Sequence, residues 1–220
     1  MPVRKIPKNH LFVTGSFASR KNGMMGGFES LLEKEYMLLL DFDNDVDSFE
    51  EQPVNIPVPG VPRGYTPDIL VRFRADPTTG IGRRPLLTEV KRSDDLVKNA
   101  EKYAPKFAAA EVFAADQGWE FSIKTETQIR TPRLANLKFL REYRNTIPED
   151  AACDRVILAL SNAGRALSVS DLLSQVCAGD DDQLYFLPII WQMVLTHRLI
   201  MDLDVPLSNS AILHPPGEIL

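Results

Sequence analysis

"TPDILVRFRADPTTGIGRRPLLTEVKR", residues 66–92, decides the fold. Ile69, Val71 and Phe73 alternate with Asp68, Leu70 and Arg72, the period of two expected of a strand with two distinct faces. Asp76, Pro77, Gly80 and Gly82 then make a loop of turn formers. Pro85 to Thr88 suits a buried strand, and Glu89-Val90-Lys91 follows directly. The two strands are expected to pair antiparallel, which returns Glu89 to the neighbourhood of Asp68. Glu89 and Lys91, two residues apart, project to the same side. A carboxylate and an ammonium at the end of an apolar strand have two readings: a cross-strand ion pair at a sheet edge, or half of an active site.

The spacing is Pro-Asp, twenty residues, then Glu-x-Lys. Its chemistry is phosphodiester cleavage. Asp68 and Glu89 are hard oxygen ligands suited to Mg²⁺, with Mn²⁺ as a substitute. A metal held there contacts the scissile phosphate and lowers the pKa of a bound water. Lys91 helps activate that water and offsets charge on the transition state.

Upstream, "SLLEKEYMLLLDF" reads as a helix from about residue 30 to 41. Glu33 shares a face with Tyr36, Met37 and Leu40, and a buried carboxylate is costly unless paired or metal-bound. Glu33 is therefore a candidate third acid and metal ligand. Ser30-x-x-Glu33 also reads as a capping box, with Glu33 bonding back to the Ser30 amide. Glu35 and Glu29 remain alternatives for the helix acid.

Residues 1–28 carry Arg4, Lys5, Lys8, Arg20 and Lys21, several glycines and no acid. They read as an irregular basic arm, either following phosphates or solvated. Pro53, Pro57, Pro59 and Pro62 keep the segment after the helix out of a sheet centre. "SDDLVKNAEKYAPKFAAAEVFAADQG" reads as one helix from Ser93, kinked at Pro105 and closed by Gly118. A strand at "WEFSIKTETQ" and a helix bearing Leu134, Leu137 and Leu140 complete an α/β unit.

Pro148 and a change of charge place a boundary near 147. Residues 147–220 hold ten acids and three bases, a net of −7, against +2 for residues 1–146. The second part reads as a helix over 151–162, a short helix capped by Ser168 or Ser170, an acidic turn at 180–182, a long helix over 183–198 and a terminal hairpin. Three helices and a hairpin suggest a winged-helix unit. No run of about 18 apolar residues spans a membrane, and the basic start lacks the apolar core of a signal peptide. Cys153 and Cys177, without metal-type spacing, read as idle thiols in a reducing cytosol. Asp41-x-Asp43-x-Asp45 lacks the glycine and glutamate of a calcium loop.

The ordered set Glu-x(n)-Leu-x-Phe-Asp-x-x-Val-x-x-Phe-x-x-Gln-Pro, then Thr-Pro-Asp, then Glu-Val-Lys, followed by "WEFSIKTETQIRTPRLANLKFLREYR", resembles the TnsA endonuclease family from about residue 13 to 146. These are the partner nucleases of heteromeric cut-and-paste transposases, CRISPR-associated transposons included. The resemblance implies a restriction-endonuclease-like PD-(D/E)xK core over residues 1–146 and a small winged-helix-like C-terminal domain over 147–220. It implies catalytic roles for Glu33, Asp68, Glu89 and Lys91, Glu33 being favoured by the register of the motif after it. It further implies a bacterial cytoplasmic endonuclease that cuts double-stranded DNA at the 5′ ends of a transposon. A DDE transposase (TnsB) would handle the 3′ ends, and an AAA+ regulator (TnsC) would dock on the C-terminal domain. A stand-alone restriction or repair nuclease, and an inactive DNA-binding adaptor, are the alternatives.

Overall fold

The computed structural model describes residues 14–23 and 25–215 of the 220-residue chain. The basic residues Arg4, Lys5 and Lys8, and His10, lie outside the described residues. Two compact units divide after Arg130.

In the first unit, β1 (Gly15–Ala18) and β2 (Met25–Phe28) form an antiparallel hairpin where the sequence suggested irregular chain. Ser19 Oγ and the Arg20 N–H donate to the buried Asp41 carboxylate at 2.8 Å each. Asn22 exchanges two hydrogen bonds with the Phe49 backbone, so its amide side chain acts as one more residue of sheet edge. The would-be calcium loop is thus occupied with holding this hairpin.

α1 (Leu31–Phe42) begins at Ser30, whose side chain accepts the Glu33 N–H. It buries Leu32, Tyr36, Met37 and Leu40. β3 (Val46–Glu51) follows, then a separate hairpin of β4 (Ile56–Val58) and β5 (Val61–Tyr65) in the proline-rich stretch. β6 (Ile69–Phe73) and β7 (Leu86–Val90) pair antiparallel with Ile69 opposite Thr88, as expected. α2 (Ser93–Lys98) and α3 (Ala100–Asp116) are two helices broken at Asn99, with Pro105 tolerated inside α3. They carry the chain across to β8 (Glu120–Lys124), which lies parallel to β7. The sheet order is β3-β6-β7-β8.

Strand alternation sends Leu70 and Leu87 to one face, where Ile56, Val58, Tyr65, Ala110 and Ala114 close the core. Small alanines let α3 lie close to the sheet. Tyr36 of α1 sits beside Thr88 on the opposite face. Two helices thus sandwich the strands that carry Asp68 and Glu89. α4 (Glu126–Ile129) ends the unit and packs on α1.

The second unit starts earlier than the proline and charge signals placed it. α5 (Pro132–Leu140) packs against α8 (Asp180–Leu195), with Phe139 edge-on to Trp191 at 5.6 Å. The buried Leu134, Leu137 and Leu140 tie α5 to this unit, and Pro148 falls in a link inside it. α6 (Asp150–Ala163) ends at Gly164 in the left-handed region. β9 (Leu167–Ser168) leads into α7 (Val169–Val176), and Ser168 is the cap. Residues 180–182 form the first turn of α8 rather than a free turn. β10 (Ile212–Leu213) pairs with β9, while Ile200 and His214 form the only closure of the expected terminal hairpin among the described residues. Cys153 and Cys177 are free thiols. No helix of the described residues is long and apolar enough to cross a membrane.

Candidate active site

Asp68 sits just before β6 and Glu89 near the end of β7, so the register sets them side by side. Asp68 is pinned by backbone on three sides. Its N–H donates to Thr88 O (3.1 Å), its carbonyl accepts the Gln52 N–H (2.8 Å), and its Oδ2 accepts the Val90 N–H (2.7 Å). Gln52 adopts φ +46, and its Nε2 donates to Glu29 Oε1 at 3.1 Å. Strain of this kind persists only where its surroundings over-determine it.

Lys91 Nζ lies 2.8 Å from Glu89 Oε1 and 3.7 Å from Asp68 Oδ2. The Lys91 N–H donates to Lys124 O on β8, anchoring the residue beyond the strand end. Glu89 is 3% exposed, and its other oxygen accepts the Tyr65 hydroxyl at 2.7 Å. Glu33, at the N-terminus of α1, accepts from the Glu29 N–H (2.8 Å) and the Ser30 hydroxyl (2.9 Å). It caps its helix, though through those two donors and not through the Ser30 amide. Glu29, Glu33, Lys91, Lys98 and Arg130 line a cleft of about 810 Å³. Glu35 is turned aside and bonds Arg130 at 2.7 Å.

The charges are crowded. Burial, and then the charge of Asp68, push Glu33 up to about 7 and Glu89 up to about 8. Burial raises Asp68 too, against the pull of Lys91. Burial opposes the Lys91 charge, but Asp68 and Glu89 outweigh it and hold the ammonium above its ordinary range. Among the described residues no three His, Cys, Asp or Glu side chains are gathered into a metal cage. The donor chemistry nevertheless fits a hard divalent cation: two carboxylates on neighbouring strands, both disfavoured as anions chiefly by burial, which a bound cation would offset.

The structure therefore brings Asp68, Glu89 and Lys91 into contact and sets Glu33 within their field. Tyr65 and Gln52 were not assigned roles from sequence. The signal for each was its place in a motif, Tyr65 two residues before the Pro-Asp pair and Gln52 in the Gln-Pro pair. Trp119 packs against the core of the first unit, edge-on to Phe113 at 6.0 Å, and Glu126 accepts from the Ser93 N–H at the start of α2.

A mixed sheet flanked by helices, with an acid–acid–lysine set at the paired strand ends, defines a nuclease-like α/β protein. The family model for the TnsA-like endonuclease N terminal matches residues 43–126, and that for the TnsA endonuclease C terminal matches residues 128–203. The chain belongs to the TnsA endonuclease family. No curated protein matches it.

Proposed function

We propose that this chain is the Mg²⁺-dependent endonuclease subunit of a heteromeric transposase, cutting at the 5′ ends of the element while a DDE transposase (TnsB) acts at the 3′ ends. The observation that carries the reading is the convergence of Asp68, Glu89 and Lys91, with Glu33 beside them, Lys91 and Glu33 themselves lining a cleft. Asp68 and Glu89 would hold the cation, with Glu33 completing the acidic set. Bound there, Mg²⁺ supplies Lewis-acid polarisation of the phosphate and a more acidic water. Lys91, kept as an ammonium by its two carboxylates, contributes positive charge beside the phosphate and does not act as a base while so protonated. The backbone bonds to Asp68 fix its position before substrate arrives, which is where electrostatic catalysis gains most.

The net charge of −7 over residues 147–220 makes that region a poor phosphate binder. It supports a protein-docking role, with an AAA+ regulator (TnsC) as the partner. Three helices, α6 to α8, and the β9–β10 pair support a winged-helix reading of this region. The test uses the assembled transposase on a DNA substrate carrying both transposon ends. Asp68→Ala is expected to abolish 5′-strand cleavage and leave 3′-strand cleavage in place. Persistent 5′ cleavage by the variant overturns the assignment.

A further inference from the structure

Resting on that reading of the site, we propose that Tyr65 is a positioning residue for Glu89, and that the β4–β5 hairpin is the device that delivers it. Glu89 Oε2 accepts the Tyr65 hydroxyl at 2.7 Å, and Oε1 faces Lys91 at 2.8 Å. With one oxygen held from each side, the carboxylate plane has no freedom left. The phenol O–H donates this bond and Glu89 Oε2 accepts it.

The hairpin is built around this contact. Asn55 Nδ2 donates to Arg63 O (3.1 Å) and Thr66 Oγ1 (2.9 Å), clamping the chain on both sides of Tyr65. Gly64 between them has φ +65, and a Cβ there would lie 2.7 Å from the Ile56 carbonyl oxygen. No other residue type fits that turn without strain. The Tyr65 ring is fixed among Ile56, Val58, Leu70 and Leu87, with Phe107 at 6.2 Å. A phenol that needed only burial could have pointed anywhere in this cluster; it points at the one acid on β7. With Oε2 held by Tyr65, a cation reaching Glu89 would meet Oε1 and share it with the Lys91 ammonium. Outer partners of this kind typically govern metal affinity by a factor of ten or more.

The experiment compares full-length wild type, Tyr65→Phe, Asn55→Ala and Asp68→Ala. Mn²⁺ affinity is measured calorimetrically without DNA, 5′-end cleavage at saturating DNA, and the unfolding midpoint in chelator. Tyr65→Phe is expected to bind Mn²⁺ about tenfold more weakly and to cleave about tenfold more slowly, with DNA affinity unchanged. Asn55→Ala, which loosens the turn from its exposed side, is expected to shift both in the same direction and keeps the test open if Tyr65→Phe fails to fold. Wild-type Mn²⁺ affinity in both Tyr65→Phe and Asn55→Ala, while Asp68→Ala loses binding, overturns the role of Tyr65 alone. Equal Mn²⁺ binding by wild type and Asp68→Ala overturns the metal reading and this proposal with it.

Discussion

At the scale of single residues, Lys91 and the two strand acids form one electrostatic unit. Removing the ammonium leaves two buried carboxylates facing each other. Lys91→Ala is expected to abolish cleavage and to destabilise the metal-free protein by roughly 3 kcal/mol, the low end for breaking a buried pair. Added Mg²⁺ should restore most of the lost unfolding midpoint but none of the cleavage, which separates the two effects. The raised carboxyls give a second expectation. Glu33, at about 7, and Glu89, at about 8, keep protons in the folded chain that an unfolded chain releases near 4.5. Rising pH therefore favours the unfolded chain across that window and no further. Metal-free melting series should show the midpoint falling between about pH 5 and about pH 8 and levelling above, with a shallower fall in Glu89→Gln. A third expectation separates the helix acids. Glu35 is committed to Arg130 at 2.7 Å, whereas Glu33 lies in the field of Asp68 and Lys91. Glu33→Gln should lower 5′ cleavage about a hundredfold or more, the scale of losing one electrostatic contact in a site. Glu35→Gln should stay within about twofold, since Glu35 is paired with Arg130 and does not itself line the cleft. The reverse order in a single-turnover assay moves the helix acid to Glu35.

At the scale of elements, the strand pair was legible because two physical rules sufficed. Alternation placed Glu89 with Lys91, and the antiparallel return placed Glu89 with Asp68. α1 was legible from its cap and its apolar face. The β1–β2 hairpin was not, because "GSFA" and "MGGF" carry no hydrophobic period; side-chain bonds from Ser19 and Asn22 specify it instead. The break between α2 and α3 was hidden because "SDDLVKNAEKYAPKF" keeps helical propensity through Asn99. Tyr65 carried only a positional signal, two residues before the Pro-Asp pair, because its bond to Glu89 depends on a hairpin register that no short motif encodes. That hairpin gives the element-scale expectation. Gly64→Ala would place a Cβ against the Ile56 carbonyl in a left-handed conformation. The cost should be about 2 kcal/mol, within the usual range for such strain, read as a lower urea midpoint at unchanged slope.

At the scale of the whole molecule, the chain divides after Arg130, and the acidic chemistry sits wholly in the first unit. The boundary near 147 followed a proline and a charge change, neither of which reports which helices share a core. The contact of α5 with α8 does, Phe139 meeting Trp191 edge-on at 5.6 Å on a helix whose leucines are buried. Within residues 131–215 nothing resembles the Asp68–Glu89–Lys91 cluster, so a divalent cation has a reason to stabilise only the first unit. Ligand binding protects the unit it binds in proportion to saturation. Hydrogen exchange followed by mass spectrometry, with and without Mg²⁺, should therefore show slower exchange in β6, β7 and the first turn of α1, by about a hundredfold at a hundred times the dissociation constant. Peptides from α6, α7 and α8 should exchange at unchanged rates. Equal protection of both units would mean that they open together, and the division after Arg130 would then describe packing without describing independent stability.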